Sequence, residues 1–172
     1  MFRTIERYEE NGLGLPYPVV LINAAEEEVD DTGTAVGIHI PGMEELVAAI
    51  AVTRCLSPFR LVGPEVKFIR KAIGMPAKQL AEGLEMDPAT FSRWENGKQA
   101  LGAWADKQLR TAALLLLKDK VPHISLDPKE IVGLHFVPGK MADQPPLEMV
   151  LVKPESDCEP DGCWDTNFRM AA

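Results

Sequence analysis

From Pro64 to Leu101 the chain reads PEVKFIRKAIGMPAKQLAEGLEMDPATFSRWENGKQAL, and its prolines and glycines cut it into short helical pieces. The first opens at Pro64, a residue suited to a first helical turn because it lacks an N–H, and ends at Gly74. Val66, Ile69 and Ile73 form its apolar stripe. The second starts at Pro76 and is expected to bury Leu80, Ala81 and Leu84. In the third, Asp87 is the expected N-cap, Pro88 the first helical residue and Gly97 the C-terminal stop. A fourth, from Gly102 to Lys120, is the longest and most apolar. Two short helices joined by a tight turn, with one helix packed before them and one behind, define a helix-turn-helix. Leu80, Ala81, Met86, Phe91 and Trp94 must then meet under the helix crossing, which frees the opposite face of the third helix.

That free face carries Ala89, Thr90 and Arg93 in the N-terminal half of the helix, where a helix lying in the major groove reaches base edges. Arg93 leads the three, because its fork can bond O6 and N7 of one guanine. Lys78, Lys98 and Ser92 flank the reading helix as candidates for phosphate contact. Arg110, Lys71 and Lys67 are further candidates, and the bland reading of each lysine is a solvated surface position.

A polyanion partner sits awkwardly with a formal net charge of -8. The charge is unevenly spread, however. Residues 1–63 hold four Arg and ten acids, net -6; residues 64–110 hold eight Lys or Arg and six acids, net +2; residues 111–172 are net -4. Phosphates respond to the local field they meet, and the one positive segment is the helix-turn-helix. The residual long-range repulsion favours two copies acting together.

The flanks read differently. YPVVLIN (17–23) and TAVGIHI (34–40) are apolar and β-branched, and are expected to be strands of a hairpin with a wide loop. The acidic run between them ends in DTG, a turn signal; EEE at 26–28 reads as a solvated loop or as a docking surface for a basic partner. MEELVAAIAVTRC has helical composition, with Leu46, Val47 and Ile50 on one face, and SPFRLVGP (57–64) reads as a linker. After Pro122, IVGLHFV and LEMVLVK are expected to be strands joined by the loop PGKMADQPP, or to add to the N-terminal sheet. The end, from Pro154, reads as a loose acidic tail.

Residues 64–101 resemble the XRE (Cro/repressor-like) helix-turn-helix family, and FSRWENG is especially similar to the DNA-binding half of MqsA-type antitoxins. The resemblance implies that Arg93 reads a base. It also implies an Asn at the position of Ala89, a Gly at Glu85 and a Gln near Ala77, three places where this chain departs from the pattern. A non-Gly residue in a left-handed turn costs ~1 kcal/mol, which a packed domain tolerates. In XRE domains a Glu at the position of Glu95 pairs with an Arg in the first helix, and Arg70 holds the matching place. Upstream, GIHIPGMEELVAAIA follows the order of the N-terminal domain of MqsA-type antitoxins without its zinc-binding cysteines. The first 60 residues thus resemble a zinc-free version of a domain that, in that family, binds a toxin.

Other chemistry finds little footing. Trp94 falls on the inward stripe with Phe91, which favours core over base stacking. Cys158 and Cys163, with Asp157 and Asp161, lack a second ligand pair at metal-site spacing. His39, His123 and His135 stand in no nucleophilic arrangement. No catalytic residue, metal or cofactor is expected, and an enzyme is not. Three cysteines, no apolar run near the ~18 residues of a membrane helix, and a charged start without a secretory core suggest a cytoplasmic protein.

The expected fold class is α+β, with an α+β piece at 1–60, a central all-α helix-turn-helix at 61–121 and a C-terminal extension with a β-hairpin at 122–172. The expected function is a sequence-specific, autorepressing regulator that binds double-stranded DNA at a palindromic operator as a homodimer. The Ala112–Leu117 run would be the dimer seam or its support. Two rivals stand beside this reading: an antitoxin that neutralises a protein toxin through its flanking domain, and a protein-interaction module that retains the helix-turn-helix as a relic.

Overall fold

The first thirty residues form a bent ribbon rather than the expected hairpin. Strands β1 (Phe2–Thr4) and β2 (Arg7–Glu10) run along one side of it, and β3 (Val19–Ile22) and β4 (Glu26–Val29) along the other. β2 pairs antiparallel with β3, and β1 with β4. Across the bend, Ile5 N–H donates to the Ala25 carbonyl at 2.8 Å and Asn23 N–H to Glu6 at 2.9 Å. Asn23 turns the chain at φ 51°, a left-handed conformation that asparagine tolerates better than most residues. β5 (Ala35–His39) then folds back on β4 through a turn whose Asp30 carboxylate accepts from the Thr32 and Thr34 amides. The computed structural model describes residues 1–122, 124, 127–152 and 163–166.

The ribbon therefore divides between two sheets. The three-stranded sheet β1-β4-β5 is largely solvated on both faces, so EEE at 26–28 forms its central strand and not a loop. Phe2, Val36 and Ile38 are exposed on it. The four-stranded sheet has the order β2-β3-β6-β7, where β6 (Leu147–Val152) is parallel to β3 and β7 (Cys163–Thr166) antiparallel to β6. Val19, Leu21, Leu147, Met149 and Trp164 are its buried residues in the main core.

Helix α1 (Met43–Leu56) lies between this sheet and the remaining helices. Its small residues let neighbours approach on several sides, and the whole span from Ala48 to Leu56 is buried. Trp164 reaches across from β7 and donates its indole N–H to the Gly42 carbonyl at 3.1 Å. On its other side α1 meets α2 (Gly63–Ile73) and α5 (Ala103–Leu117), which pack on each other; α4 (Pro88–Glu95) packs on α2, and α3 (Ala77–Gly83) packs on α4. The fold is α+β with one continuous apolar core.

Three further expectations are overturned. YPVVLIN and TAVGIHI do not pair with each other; β5 pairs with β4, while β3 lies between β2 and β6. IVGLHFV is no strand of a hairpin. Helix α6 (Pro128–Gly133) covers its start, capped by the Asp127 carboxylate accepting from Lys129 N–H at 2.9 Å, and only Val137 bridges Phe59. Within the expected loose tail, residues 163–166 form β7; the rest of the tail lies outside the described residues.

The expected linker at 57–64 is pinned by buried charge. Arg54 donates to both oxygens of the Glu65 carboxylate, to the Phe59 carbonyl at 3.0 Å and to the Arg60 carbonyl at 2.9 Å. Arg110 donates to Asp106 at 2.5 Å and to the carbonyls of Cys55, Ser57 and Phe59 at 2.7, 2.5 and 2.6 Å. The other Asp106 oxygen accepts from Leu61 N–H at 2.9 Å and from Arg60 at 3.2 Å. Tyr17 donates to Glu65 at 2.8 Å, its phenol pKa pushed up by burial and then by that carboxylate. Buried ions are tolerated only when their donors and acceptors are filled, and the curving linker supplies the carbonyls.

Candidate nucleic-acid interface

α4 is held from beneath by contacts that leave little freedom. Phe91 and Trp94 are buried with their rings edge-on, centroids 6.0 Å apart. Gly63, at the start of α2, passes so close to the end of α4 that a Cβ there would lie 2.6 Å from the Trp94 carbonyl oxygen and 2.8 Å from that of Glu95. Only glycine permits that approach. Arg70 of α2 pairs with Glu95 at 2.5 Å and donates to the Met75 carbonyl at 3.0 Å, so one side chain ties α2, α4 and the entry to α3 together. In the turn, Glu85 is left-handed at φ 54°, and Met86 N–H returns to the Ala81 carbonyl at 2.8 Å.

Both ends of α4 are capped. The Asp87 carboxylate accepts from Thr90 N–H at 2.8 Å. At the far end Lys98 N–H bonds the Arg93 carbonyl at 2.9 Å and Gly97 N–H that of Trp94 at 3.0 Å, the paired bonds of a Schellman motif with Gly97 at φ 67°. Its outward face then follows the helical spacing i, i+3, i+4, i+7: Ala89, Ser92, Arg93 and Asn96 are all exposed. Asn96 folds its amide back onto the Ser92 carbonyl at 2.8 Å.

Arg93 dominates this face, its side chain 49% exposed. Its Nη2 donates to the Thr90 hydroxyl at 2.6 Å and its Nε to Gln99 Oε1 at 3.3 Å. The Asp87 carboxylate lies 3.9 Å from Nη2. That carboxyl is held below the usual range first by the Thr90 hydroxyl, which donates to it at 2.8 Å, and next by the Thr90 amide.

Ala89 is exposed, and Thr90 is half-buried with its hydroxyl engaged. Lys78 is exposed 3.8 Å from Glu82, and Lys98 and Ser92 are exposed on either side of the helix end. Lys67 and Lys71 are exposed on α2. Arg110 is not available to phosphate: it is fully buried, and its guanidinium is consumed by Asp106 and the linker carbonyls. Sequence reasoning passed over Gln99 and the hold of Thr90 on Arg93. Both had a signal, since Thr90 and Arg93 are three apart on a helix and the Gly97 stop reverses the chain toward Arg93.

Cys55 is buried, and burial pushes its thiol up to about 12. Among the described residues no group of His, Cys, Asp and Glu is placed to hold a metal ion, and no helix is long and apolar enough to cross a membrane. Cys158 and the Cys163 side chain, weighed above for a metal, lie outside the described residues. The chain matches no known protein-family model, no curated protein and no solved structure.

Proposed function

We propose that the chain is a sequence-specific DNA-binding regulator, acting as a homodimer on a palindromic operator and repressing its own promoter. The observation that carries this reading is Arg93, half-exposed on the outward stripe of a helix whose inward face, ends and neighbours are all fixed. With α4 in the major groove, Arg93 bonds O6 and N7 of a guanine. Ala89 offers a methyl that fits against thymine, and Lys78, Lys98 and Ser92 meet phosphates on either side. One such module makes few base contacts, so two half-sites about 34–36 Å apart are needed. The dimer seam on α5 narrows to its outer side, since Ala113, Leu114 and Leu117 pack inward while Trp104, Leu115 and Leu116 are exposed.

The test is selection of bound duplexes from a random library, followed by a gel shift at low salt. A palindromic sequence should be enriched and shifted. No enrichment and no shift would remove the regulator reading.

One observation favours a second role beside this one. The sheet β1-β4-β5 is acidic and partly apolar on both faces, with Phe2 exposed level with Glu28 on one and Ile38 exposed level with Glu27 on the other, a small wet sheet that suits a basic protein partner. This supports the antitoxin reading, in which the same chain neutralises a toxin and regulates its operon. Growth rescue of cells expressing the product of the adjoining reading frame tests it, and failure to rescue would leave the regulator alone.

A further inference from the structure

We infer that Thr90 and Gln99 are positioning residues that aim Arg93 at one base, rather than base readers themselves. The inference rests on the DNA-binding reading and deepens it. A guanidinium presents two hydrogen-bonding edges, a side edge formed by Nε and Nη2 and an end edge formed by Nη1 and Nη2. In this structure the side edge is closed by the protein: Nε donates to Gln99 at 3.3 Å and Nη2 to the Thr90 hydroxyl at 2.6 Å. Among the described residues nothing accepts from Nη1, and the side chain is 49% exposed, so the end edge keeps two parallel donors for a ligand. That is the geometry that matches O6 and N7 of guanine, and adenine, with a donor where guanine has O6, cannot accept both.

The Thr90 hydroxyl has no proton to offer a base. Its single hydrogen goes to Asp87 at 2.8 Å, and its oxygen accepts from Arg93. Asp87 thus orients the hydroxyl so that a lone pair points at the arginine, and the helix cap and the reading side chain share one hydrogen-bond chain. An arginine already held in its reading rotamer loses less freedom on docking, and a wrong base finds a fork that cannot turn away to another acceptor.

The measurement is discrimination between guanine and adenine at the base pair that Arg93 contacts in the selected duplex, with binding to random DNA and the melting temperature taken alongside. Thr90→Val removes the hydroxyl at constant shape. It should lower discrimination about tenfold, with non-specific affinity at low salt unchanged and the melting temperature within ~2 °C of wild type, since the lost bond to Asp87 is exposed. Thr90→Ser should restore discrimination. Gln99→Ala, in an exposed segment where folding is not at stake, should lower it by a smaller factor. Wild-type discrimination in both Thr90→Val and Gln99→Ala would overturn the inference. So would a uniform loss on all sequences, which would make Thr90 a phosphate contact. Selection of no sequence by the wild type would remove the proposed function as well, so the two failures are distinguishable.

Discussion

Arg110 and Arg93 each sit on a helix beside an aspartate, and their surroundings give them opposite work. Arg110 and Asp106 are 0% exposed, 2.5 Å apart, and every interaction of that guanidinium goes to Asp106, the backbone around the linker or the face of Phe136. Arg93 and Asp87 are 49% and 63% exposed, 3.9 Å apart, and part of the Arg93 fork is left over. The same residue types build a joint in one place and, in the other, leave a guanidinium with donors to spare. What separates them is the number of nearby carbonyls. Where a curving backbone surrounds the guanidinium, no donor remains; where two side chains hold one edge, the other edge is free to act.

The contrast is broken most severely at the joint. Arg110→Met leaves Asp106 and several carbonyls buried without their partner and should cost about 3–5 kcal/mol, or roughly 10 °C in thermal unfolding. A melting temperature within ~2 °C of wild type would show that the cluster does not hold α5 to the end of α1 and the 57–64 segment. At the probe, Arg93→Ala should do the reverse. Melting should stay unchanged while affinity for the selected duplex falls about 10-fold to 100-fold. Normal binding by this variant would place the reading face elsewhere.

The smallest effect concerns Asp87. Its folded pKa is depressed, chiefly by the Thr90 hydroxyl, so its contribution is present above the unfolded value of about 3.9 and is lost as pH falls through the folded one. Asp87→Asn caps a helix as well but does not titrate. Wild type should therefore lose stability relative to this variant only below pH about 4 in melts run side by side. Parallel curves down to acid pH would show that the bond from the Thr90 hydroxyl to Asp87 does not form in solution.

The short helices from α2 to α4 were legible because their determinants are local. Asp87, Pro88 and Gly97 mark the ends of α4 within a few residues, and Phe91 and Trp94 declare its inner face by spacing alone. The acidic strand β4 was not, because a strand wet on both faces needs no apolar alternation. IVGLHFV misled because a short apolar run fits a helix or a strand equally; the Asp127–Pro128 start was the deciding signal. Arg110 was read as a surface cation because nothing in its neighbourhood along the chain reveals the carbonyls of Cys55, Ser57 and Phe59 that enclose it.

The placement of β6 between β3 and β7 has a consequence for how the polypeptide is made. The ribosome delivers Val19, Val20 and Leu21 early and Leu147–Val152 late, so a nascent chain carries an apolar strand with an open side through most of its synthesis. Such a strand is a template for pairing with its neighbours on a crowded polysome. The glutamates and arginines of the first ten residues and the three glutamates of β4 flank it on both sides in sequence, and charges so placed disfavour pairing between chains before the late strand closes the sheet.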